Sequence, residues 1–320
     1  MDNTSGVLSA LYTPCALCPR ACGTNRTTGV RGRCGETAEL RLASASLHRG
    51  EEPPITGSGG SGTIFVTGCN LGCVFCQNYQ ISREGMGRAV SSEEFAAIAL
   101  RLQEQGAENI NIVTGSHAVP AIARGIDAAR SRGLRIPVLW NSSAYESPAM
   151  LDLLKSRVDV YLPDLKTLDS ALAGRYFNAP DYPRHAAAAI FKMLEARELR
   201  YNKAETTLIS GVIIRHLVLP GHLESTRELI RWFAEHCRGK ALLSLMTQYT
   251  PVGGKNTPGR YINQGEYGQI LSWLEDFDIE DGFCQELVTG NEWLPNFERP
   301  NPFSSDLSVP IWHWKAGFIQ

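Results

Sequence analysis

The chain has no hydrophobic run long enough to cross a membrane and no excess of either charge. Its apolar stretches are shorter than the about 18 residues that a transmembrane helix needs. The 31 Lys and Arg residues against 33 Asp and Glu leave a formal net charge of −2. Residues 1–15 contain no basic segment followed by an apolar one, as a secretory signal would. We therefore expect a cytoplasmic protein without a membrane anchor and without the basic surface that binds nucleic acid.

Composition and length indicate a folded protein with a substantial core. Hydrophobic residues make up 43% and charged residues 20% of the 320 positions, as in ordinary globular domains. The length fits one large domain with extensions. Three segments are predicted: a cysteine-rich N-terminal extension over 1–55, a core domain over 56–295, and a tail over 296–320 that packs on the core.

Cysteine is the residue whose distribution carries most information. Seven of the nine cysteines lie within residues 15–76. A disulfide framework would be expected in a smaller, secreted chain, so the clustered thiols indicate metal or redox chemistry. The two outlying residues, Cys237 and Cys284, lie in apolar surroundings and are predicted to be ordinary buried thiols.

The middle of the chain alternates between short apolar runs and amphipathic segments. Ser91 and Glu94 predict a capped helix start, and Gly106 predicts its end. Alternation of this kind predicts an α/β protein in which helices cover a parallel sheet, a partial (β/α)6 barrel of the TIM type. The predicted strands are 63–68, 109–115, 136–141, 158–164, 207–220 and 240–249. The predicted helices are 91–106, 118–132, 147–156, 184–199, 225–237 and 265–277.

In such barrels the chemistry collects at the carboxyl ends of the strands. Arg215 and His216 are neighbours on one strand, so their side chains point to opposite faces and at most one of them points into the barrel. The strand-end residues predicted to face the mouth are Thr114, Gly115, Ser116, His117, Asn141, Ser142, Asp164, Lys166, Arg215, His216 and Gln248.

A loop with three cysteines follows the first predicted strand. Cys69, Cys73 and Cys76 have the spacing C-x3-C-x2-C, with no fourth cysteine nearby. Structural zinc takes four protein ligands, whereas a [4Fe–4S] cluster on three cysteines keeps one iron free for another ligand. S-adenosylmethionine, with its amino and carboxylate groups, can chelate such an iron. The loop therefore predicts a catalytic cluster rather than a structural metal.

The run GTIFVTGCNLGCVFCQN, placed on the first strand of a β/α repeat, resembles the radical S-adenosylmethionine (SAM) superfamily. CALCPRACGTNRTTGVRGRCG, NSSAYES, VYLPDLK and IIRHLVLPGH extend the similarity to the branch that resembles pyruvate formate-lyase activating enzyme. The resemblance covers roughly residues 13–290. It implies a [4Fe–4S] cluster on Cys69, Cys73 and Cys76, which cleaves S-adenosylmethionine to a 5′-deoxyadenosyl radical that takes hydrogen from a substrate.

The resemblance also implies residues that bind the cofactor. Phe75 would lie by the adenine of S-adenosylmethionine. Asn141 and Ser142 correspond to positions that contact the ribose or the carboxylate. The remaining pairs correspond to motifs near the cofactor on the fourth and fifth strands, namely Asp164 with Lys166 and Arg215 with His216.

At the second strand the sequence departs from the family pattern. Relatives carry a Gly-Gly-Glu-type stretch there for the amino group of methionine, whereas this chain has Thr114-Gly115-Ser116-His117. Thr114, Ser116 and His117 are the candidates for this role. A structural interpretation stays open for His117, as a loop residue bonded to backbone, and for Lys166, as a solvated residue at a helix start.

A second group of cysteines precedes the core. Cys15, Cys18, Cys22 and Cys34 form C-x2-C-x3-C-x11-C with glycines between them. Four thiols can hold a structural zinc that stabilises a segment too short to build its own core. They can equally hold an auxiliary iron–sulfur cluster, or no metal at all.

Three functions fit these observations. As an activase, the protein would take hydrogen from a glycine of a partner glycyl radical enzyme. As a direct catalyst, it would modify a small molecule or a peptide in each turnover. As a non-enzymatic metal-binding protein, it would use its cysteines structurally. The first two require an electron donor, for which a flavodoxin or ferredoxin is expected.

Overall fold

The computed structural model describes residues 8–253, 257–291 and 293–319. Their centre is one sheet. Its strands are β1 (Arg41–His48), β2 (Ser61–Val66), β3 (Arg88–Ala89), β4 (Ile110–Val113), β5 (Val138–Ser142), β6 (Val160–Pro163), β7 (Arg200–Tyr201), β8 (Leu208–Leu217), β9 (Leu242–Met246), β10 (Gly282–Cys284), β11 (Ser308–His313) and β12 (Gly317–Phe318).

The main path of the sheet runs β10-β9-β8-β6-β5-β4-β2-β1-β11-β12, with β3 on β1 and β7 on β8. The strands from β2 to β10 along this path pair in parallel. The sheet does not close, which confirms the predicted partial barrel. The six predicted core strands are β2, β4, β5, β6, β8 and β9. A seventh parallel strand, β10, was not predicted because it has only three residues.

Side chains alternate between the two faces of the parallel strands. Ile112, Trp140 and Ile214 belong to the large core beneath the helices. Their neighbours on the opposite face include Leu139 and Ile213, which form a smaller buried cluster with Ile55 of the short segment between β1 and β2. This smaller cluster marks the inner face of the barrel, so Arg215, two residues after Ile213, also points inward.

Along the chain, most of the helices alternate with the parallel strands. The prediction missed the helix Ser170–Phe177, which follows β6 before the predicted next helix. Among the described residues, no helix is both long and apolar enough to cross a membrane. The helices are Pro53–Thr56, Tyr79–Ser82, Ser92–Glu104, Val119–Ser131, Pro148–Leu154, Ser170–Phe177, Tyr182–Ala196, Leu223–His236 and Gln264–Asp276, with a 3₁₀ turn at Arg26–Thr28.

Of the two hydrogen bonds of a capping box at Ser91 and Glu94, one is present. The Ser91 hydroxyl accepts a hydrogen bond from the Glu94 amide at 3.1 Å. The Glu94 carboxylate does not return to the cap but pairs with Arg88 across 2.9 Å. Gly106, at φ +88°, lies just beyond the helix as predicted.

Segments predicted to flank the core contribute strands to its sheet. β1 pairs antiparallel with β2 on one side and with β11, from the predicted tail, on the other. β1 escaped prediction because its buried positions include Ala43, Ser44, Ala45 and Ser46, small residues that show no apolar alternation. The division at residues 55 and 295 stays a proposal, although all three segments share one sheet.

The two outlying cysteines differ in burial. Cys237 is fully buried at the end of the helix Leu223–His236, as predicted. Cys284, on β10, is only half-buried. None of the nine cysteines is in a disulfide.

Candidate functional site

The three-cysteine loop begins directly after β2. Gly72, at φ +76° and exposed, forms the turn between Cys69 and Cys73. The Leu71 amide donates to the Cys69 sulfur at 3.4 Å, and a hydroxyl, that of Ser82, donates to the Cys76 sulfur at 3.3 Å. Donors aimed at sulfur favour thiolates and, in iron–sulfur proteins, help to set the reduction potential.

Backbone hydrogen bonds attach this loop to two other parts of the chain. The Cys69 amide donates to the carbonyl of Cys34 at 3.2 Å, in the N-terminal segment. The Val74 amide donates to the carbonyl of Tyr176 at 3.0 Å, at the end of the helix Ser170–Phe177. The loop therefore lies between the N-terminal segment and the region that follows β6.

Two charged groups that follow β6, Asp164 and Lys166, lie near Cys73 of the loop. Burial raises the pKa of the Cys73 thiol, and the ammonium of Lys166 opposes this shift. Burial also raises the pKa of Cys76, with the neighbouring Cys69 adding to the shift. Lys166 is held by Asp164 at 2.8 Å, and although burial alone would lower the pKa of Lys166, this carboxylate raises it. The cation next to Cys73 therefore stays charged.

Where the structure is described, no three His, Cys, Asp or Glu side chains converge closely enough to bind a single metal ion. A [4Fe–4S] cluster makes a different demand, because each cysteine binds a different iron of the cube. Three free thiols on one loop, two of them with hydrogen-bond donors and one near a partly buried cation, fit that demand. Cys69, Cys73 and Cys76 are the residues that would hold such a cluster.

Two further predicted residues lie near the cysteines, Phe75 within the loop and Gln248 next to it. Phe75 is 4% exposed, and its ring centroid lies 5.5 Å from that of Tyr176 and 6.1 Å from that of Tyr249. The carbonyl of Gln248, two residues after β9, accepts a hydrogen bond from the Gln77 side chain at 2.8 Å. Phe75, Gln248, Asp164 and Lys166 are therefore brought together with the cysteines.

Ser116 and Ser142 converge instead on a buried carboxyl group that was not predicted. Ser116 donates to Glu146 at 2.5 Å, and the indole of Trp140 donates to the same oxygen at 3.2 Å. Burial raises the pKa of Glu146, and hydrogen bonds from Ser116 and Ser142 oppose the shift. Glu146 thus ties the ends of β4 and β5 together. Glu146 lies in the NSSAYES motif quoted above, and this motif was the feature of the sequence that could have identified it.

Thr114 and Asn141 meet at neighbouring strand ends. The Thr114 amide donates to the Asn141 carbonyl at 2.9 Å. Thr114 has φ +64°, a left-handed conformation that is strained for a β-branched residue. Such strain persists only where surrounding structure imposes it, and it is enriched at functional sites.

His117 packs between the end of β2 and the N-terminal segment. Its Nε2 lies 2.8 Å from the carbonyl of Thr67, and its own carbonyl accepts a hydrogen bond from Arg26 at 2.7 Å. Burial and the nearby guanidinium lower the pKa of His117 to about 3, so its ring is neutral at ordinary pH. Its contacts match the structural interpretation given above, while a role in cofactor binding stays a prediction.

Arg215 and His216 point to opposite faces of β8, as the strand alternation predicted. Arg215 is buried on the inner face, where it donates to Glu52 at 2.9 Å and to Glu51 at 2.5 Å. His216 lies on the helix side, with Nδ1 2.8 Å from the Leu165 carbonyl and Nε2 2.9 Å from the Thr226 hydroxyl. Burial lowers the pKa of His216 to about 4. The structure thus separates the two residues and gives both of them protein partners.

The four N-terminal cysteines lie near one another. A Cβ atom on Gly32 would be 3.4 Å from the Cys22 sulfur and 3.5 Å from the Cys34 sulfur. The buried guanidinium of Arg26 lies 3.8 Å from the Cys15 sulfur. Burial raises the pKa of Cys18 to about 11, whereas hydrogen bonds, the largest from the Arg33 backbone, lower that of the exposed Cys22 to about 7.

Residues 63–233 match the model of the radical SAM superfamily. The chain is also 32% identical over 290 residues to the uncharacterized protein MJ0674 of Methanocaldococcus jannaschii, covering 88% of this chain and 80% of that protein. The chain therefore belongs to the radical SAM superfamily, which confirms the predicted resemblance. Membership implies a [4Fe–4S] cluster and S-adenosylmethionine.

Two solved structures illustrate how far the fold is shared. A radical SAM methyltransferase from Sphaerobacter thermophilus superposes with a TM-score of 0.50 at 16% identity, over 70% of this chain and 66% of that one. SuiB of Streptococcus suis, solved with bound S-adenosylmethionine, gives 0.49 at 15% identity over 68% of this chain. This chain spans about half of SuiB, 48% of its length.

Proposed function

We propose that this protein reductively cleaves S-adenosylmethionine at a cluster held by Cys69, Cys73 and Cys76, and that the resulting radical removes hydrogen from a glycine of a partner glycyl radical enzyme. The protein would thus be an activase and an oxidoreductase. It would act in the cytoplasm, with a flavodoxin or ferredoxin as its electron donor. The observation that carries the proposal is the presence of three free thiols on one loop, with the ion pair of Lys166 and Asp164 near Cys73.

The contributions of the protein to this chemistry follow from the contacts of those residues. The bound cluster and S-adenosylmethionine supply the electron and the radical when present. Lys166, kept charged by Asp164, offers a partly buried cation near Cys73 that compensates the negative charge of thiolates. Phe75 offers a ring held in place by Tyr176 and Tyr249. The resemblance of stretches such as VYLPDLK to the branch similar to pyruvate formate-lyase activating enzyme supports the choice of an activase.

Anaerobic reconstitution of the full chain tests the proposal. We expect reduced enzyme to form 5′-deoxyadenosine from S-adenosylmethionine, and co-incubated pyruvate formate-lyase or another glycyl radical enzyme to acquire a glycyl radical signal by electron paramagnetic resonance. Formation of 5′-deoxyadenosine coupled to a modified small molecule or peptide, with no glycyl radical on any partner, would replace the activase by a direct catalyst. A chain that binds no cluster would be a metal-binding protein without this activity.

We also propose that Cys15, Cys18, Cys22 and Cys34 hold a second metal site, a structural zinc in preference to an auxiliary cluster. Arg26 is only 2% exposed. Among the described residues its guanidinium donates to the carbonyls of Glu36, Thr37 and His117 and to the Cys15 sulfur. A buried guanidinium that donates to no carboxylate is costly, and thiolates of a metal site would add negative charge to that of the nearby Glu36. The thiols would have to turn toward one another to bind one ion.

Metal analysis of the full chain with Cys69, Cys73 and Cys76 all changed to alanine isolates this second site. We expect about one zinc per chain, lost in the further variants Cys18→Ser and Cys34→Ser, since structural zinc needs all its ligands. Iron with sulfide in place of zinc would indicate the auxiliary cluster. If neither metal is retained in chains purified from zinc- and iron-supplemented cultures, the site does not exist.

A further inference from the structure

A single guanidinium in the N-terminal segment binds the loop that carries the three cysteines. Arg20 donates from Nε to the carbonyl of Asn70 at 3.1 Å and from Nη2 to the carbonyl of Leu71 at 3.0 Å. The same side chain donates to the carbonyls of Phe177 at 2.7 Å and Asn178 at 2.5 Å. Two of these carbonyls lie between Cys69 and Cys73, and the other two at the end of the helix Ser170–Phe177.

This arrangement uses the geometry of arginine fully. The planar guanidinium carries five N–H donors in a fixed fork, which lets one residue satisfy several carbonyls in different directions. The carbonyls at Phe177 and Asn178 lie at a helix carboxyl terminus, where a cation is favoured. Arg20 therefore ties the cysteine loop to the same helix end that receives the Val74 amide.

The surrounding contacts reinforce the same attachment. The guanidinium of Arg20 lies 5.5 Å from the centroid of the Tyr145 ring, and the Asn70 side chain donates to the Tyr145 carbonyl at 2.7 Å. The Cys69 amide reaches the Cys34 carbonyl of the N-terminal segment. Between Cys69 and Cys73 the loop thus depends on partners far away in sequence.

We infer that Arg20 is a positioning residue for the iron–sulfur site: it fixes the backbone between Cys69 and Cys73 and places a permanent positive charge against the loop that would hold the cluster. The inference rests on the cluster of the proposed function but not on its substrate. A fixed cation stabilises the reduced, more negative cluster, because net charge and hydrogen bonding help to set its potential. The N-terminal segment is then part of the redox centre.

Three variants of the reconstituted full chain separate the effect of Arg20 on the loop backbone from the effect of its charge. Arg20→Gln removes the charge and the fork, whereas Arg20→Lys keeps the charge and loses the fork. Arg31→Gln is the matched control, because Arg31 is exposed and donates to the Gly35 carbonyl within the N-terminal segment. The measurements are hydrogen exchange of peptides covering residues 69–76 and the midpoint potential of the cluster by redox titration with electron paramagnetic resonance.

Both Arg20 variants should exchange amides of residues 69–76 about tenfold faster or more, since each loses hydrogen bonds from a charged donor. Arg20→Gln should also lower the midpoint potential, whereas Arg20→Lys and Arg31→Gln should leave it near the wild-type value. Wild-type exchange in both Arg20 variants overturns the positioning role, and an unchanged potential in Arg20→Gln overturns the electrostatic one. If Arg20→Gln does not fold, exchange in Arg20→Lys decides the positioning role.

These readouts do not require turnover. A protein that binds the cluster but produces no glycyl radical would refute the activase and leave the Arg20 measurements valid. Normal activation by the wild type, with normal exchange in both Arg20 variants, would refute the role of Arg20 alone.

Discussion

Replacing any one of Cys69, Cys73 and Cys76 by alanine should abolish cleavage of S-adenosylmethionine, with a loss of at least about a thousandfold in 5′-deoxyadenosine formation. The reason is that three thiolates leave no spare protein ligand on the cluster. The loop offers no replacement cysteine among its own residues, and burial of Cys73 limits access of an outside ligand. Iron, sulfide and the signal of the reduced cluster should fall with the activity.

The control for this experiment is Cys284→Ala. Cys284 is half-buried on β10, and its sulfur contacts the carbonyl of Gln285 at 3.8 Å. This variant should keep wild-type iron content and activity. If Cys73→Ala kept full iron content and cleavage under the same anaerobic reconstitution, the assignment of the cluster to this loop would be wrong. Circular dichroism of each purified variant establishes that a lost cluster does not reflect an unfolded chain.

The sequence was sufficient to predict the barrel because its parallel strands are buried on both faces. β4, β5 and β9 are short apolar runs between amphipathic helices, a pattern that has few other solutions. Strand alternation also predicted that Arg215 and His216 would separate. Both predictions depend on local patterns, which a sequence carries directly.

Contacts between distant residues could not be predicted in the same way. Arg215 meets Glu51 and Glu52 more than 160 positions away, and the sequence shows only two acidic residues before two prolines. Arg20 donates to backbone carbonyl groups, which every residue has, so the sequence does not show which residues it contacts. The predicted cofactor-binding roles of Ser116 and Ser142 stay predictions. What the structure adds is that both contact Glu146, so replacing either residue would also disturb that buried carboxyl.

Those two acidic residues make Arg215 a site of large expected destabilisation. Replacing Arg215 by methionine should lower the free energy of unfolding at pH 7 by about 3–5 kcal/mol, because it leaves buried carboxylates without their cation. Arg215 is 5% exposed and Glu52 9%. Arg238→Met is the matched control: Arg238 pairs with Asp278 at 3.4 Å on the surface, and its loss should cost less than about 1 kcal/mol. Chemical denaturation of each variant measures the difference.

The pH dependence of Arg215→Met identifies the mechanism. In the wild type, the Arg215 guanidinium lowers the pKa of Glu52 below its usual 4.5 against the effect of burial, so this pair stabilises the fold above that pH and loses its contribution as the pH falls further. In the variant, burial alone should raise the pKa of Glu52. The cost of burying its unpaired carboxylate therefore falls as the pH drops and Glu52 gains a proton. The stability lost by Arg215→Met relative to the wild type should therefore be largest at neutral pH and should shrink toward pH of about 4.5.

Adding Glu51→Gln and Glu52→Gln to Arg215→Met should restore much of the lost stability at pH 7. A deficit independent of pH, and unaffected by these two changes, would mean that Arg215 stabilises the inner face of the barrel by packing rather than by charge.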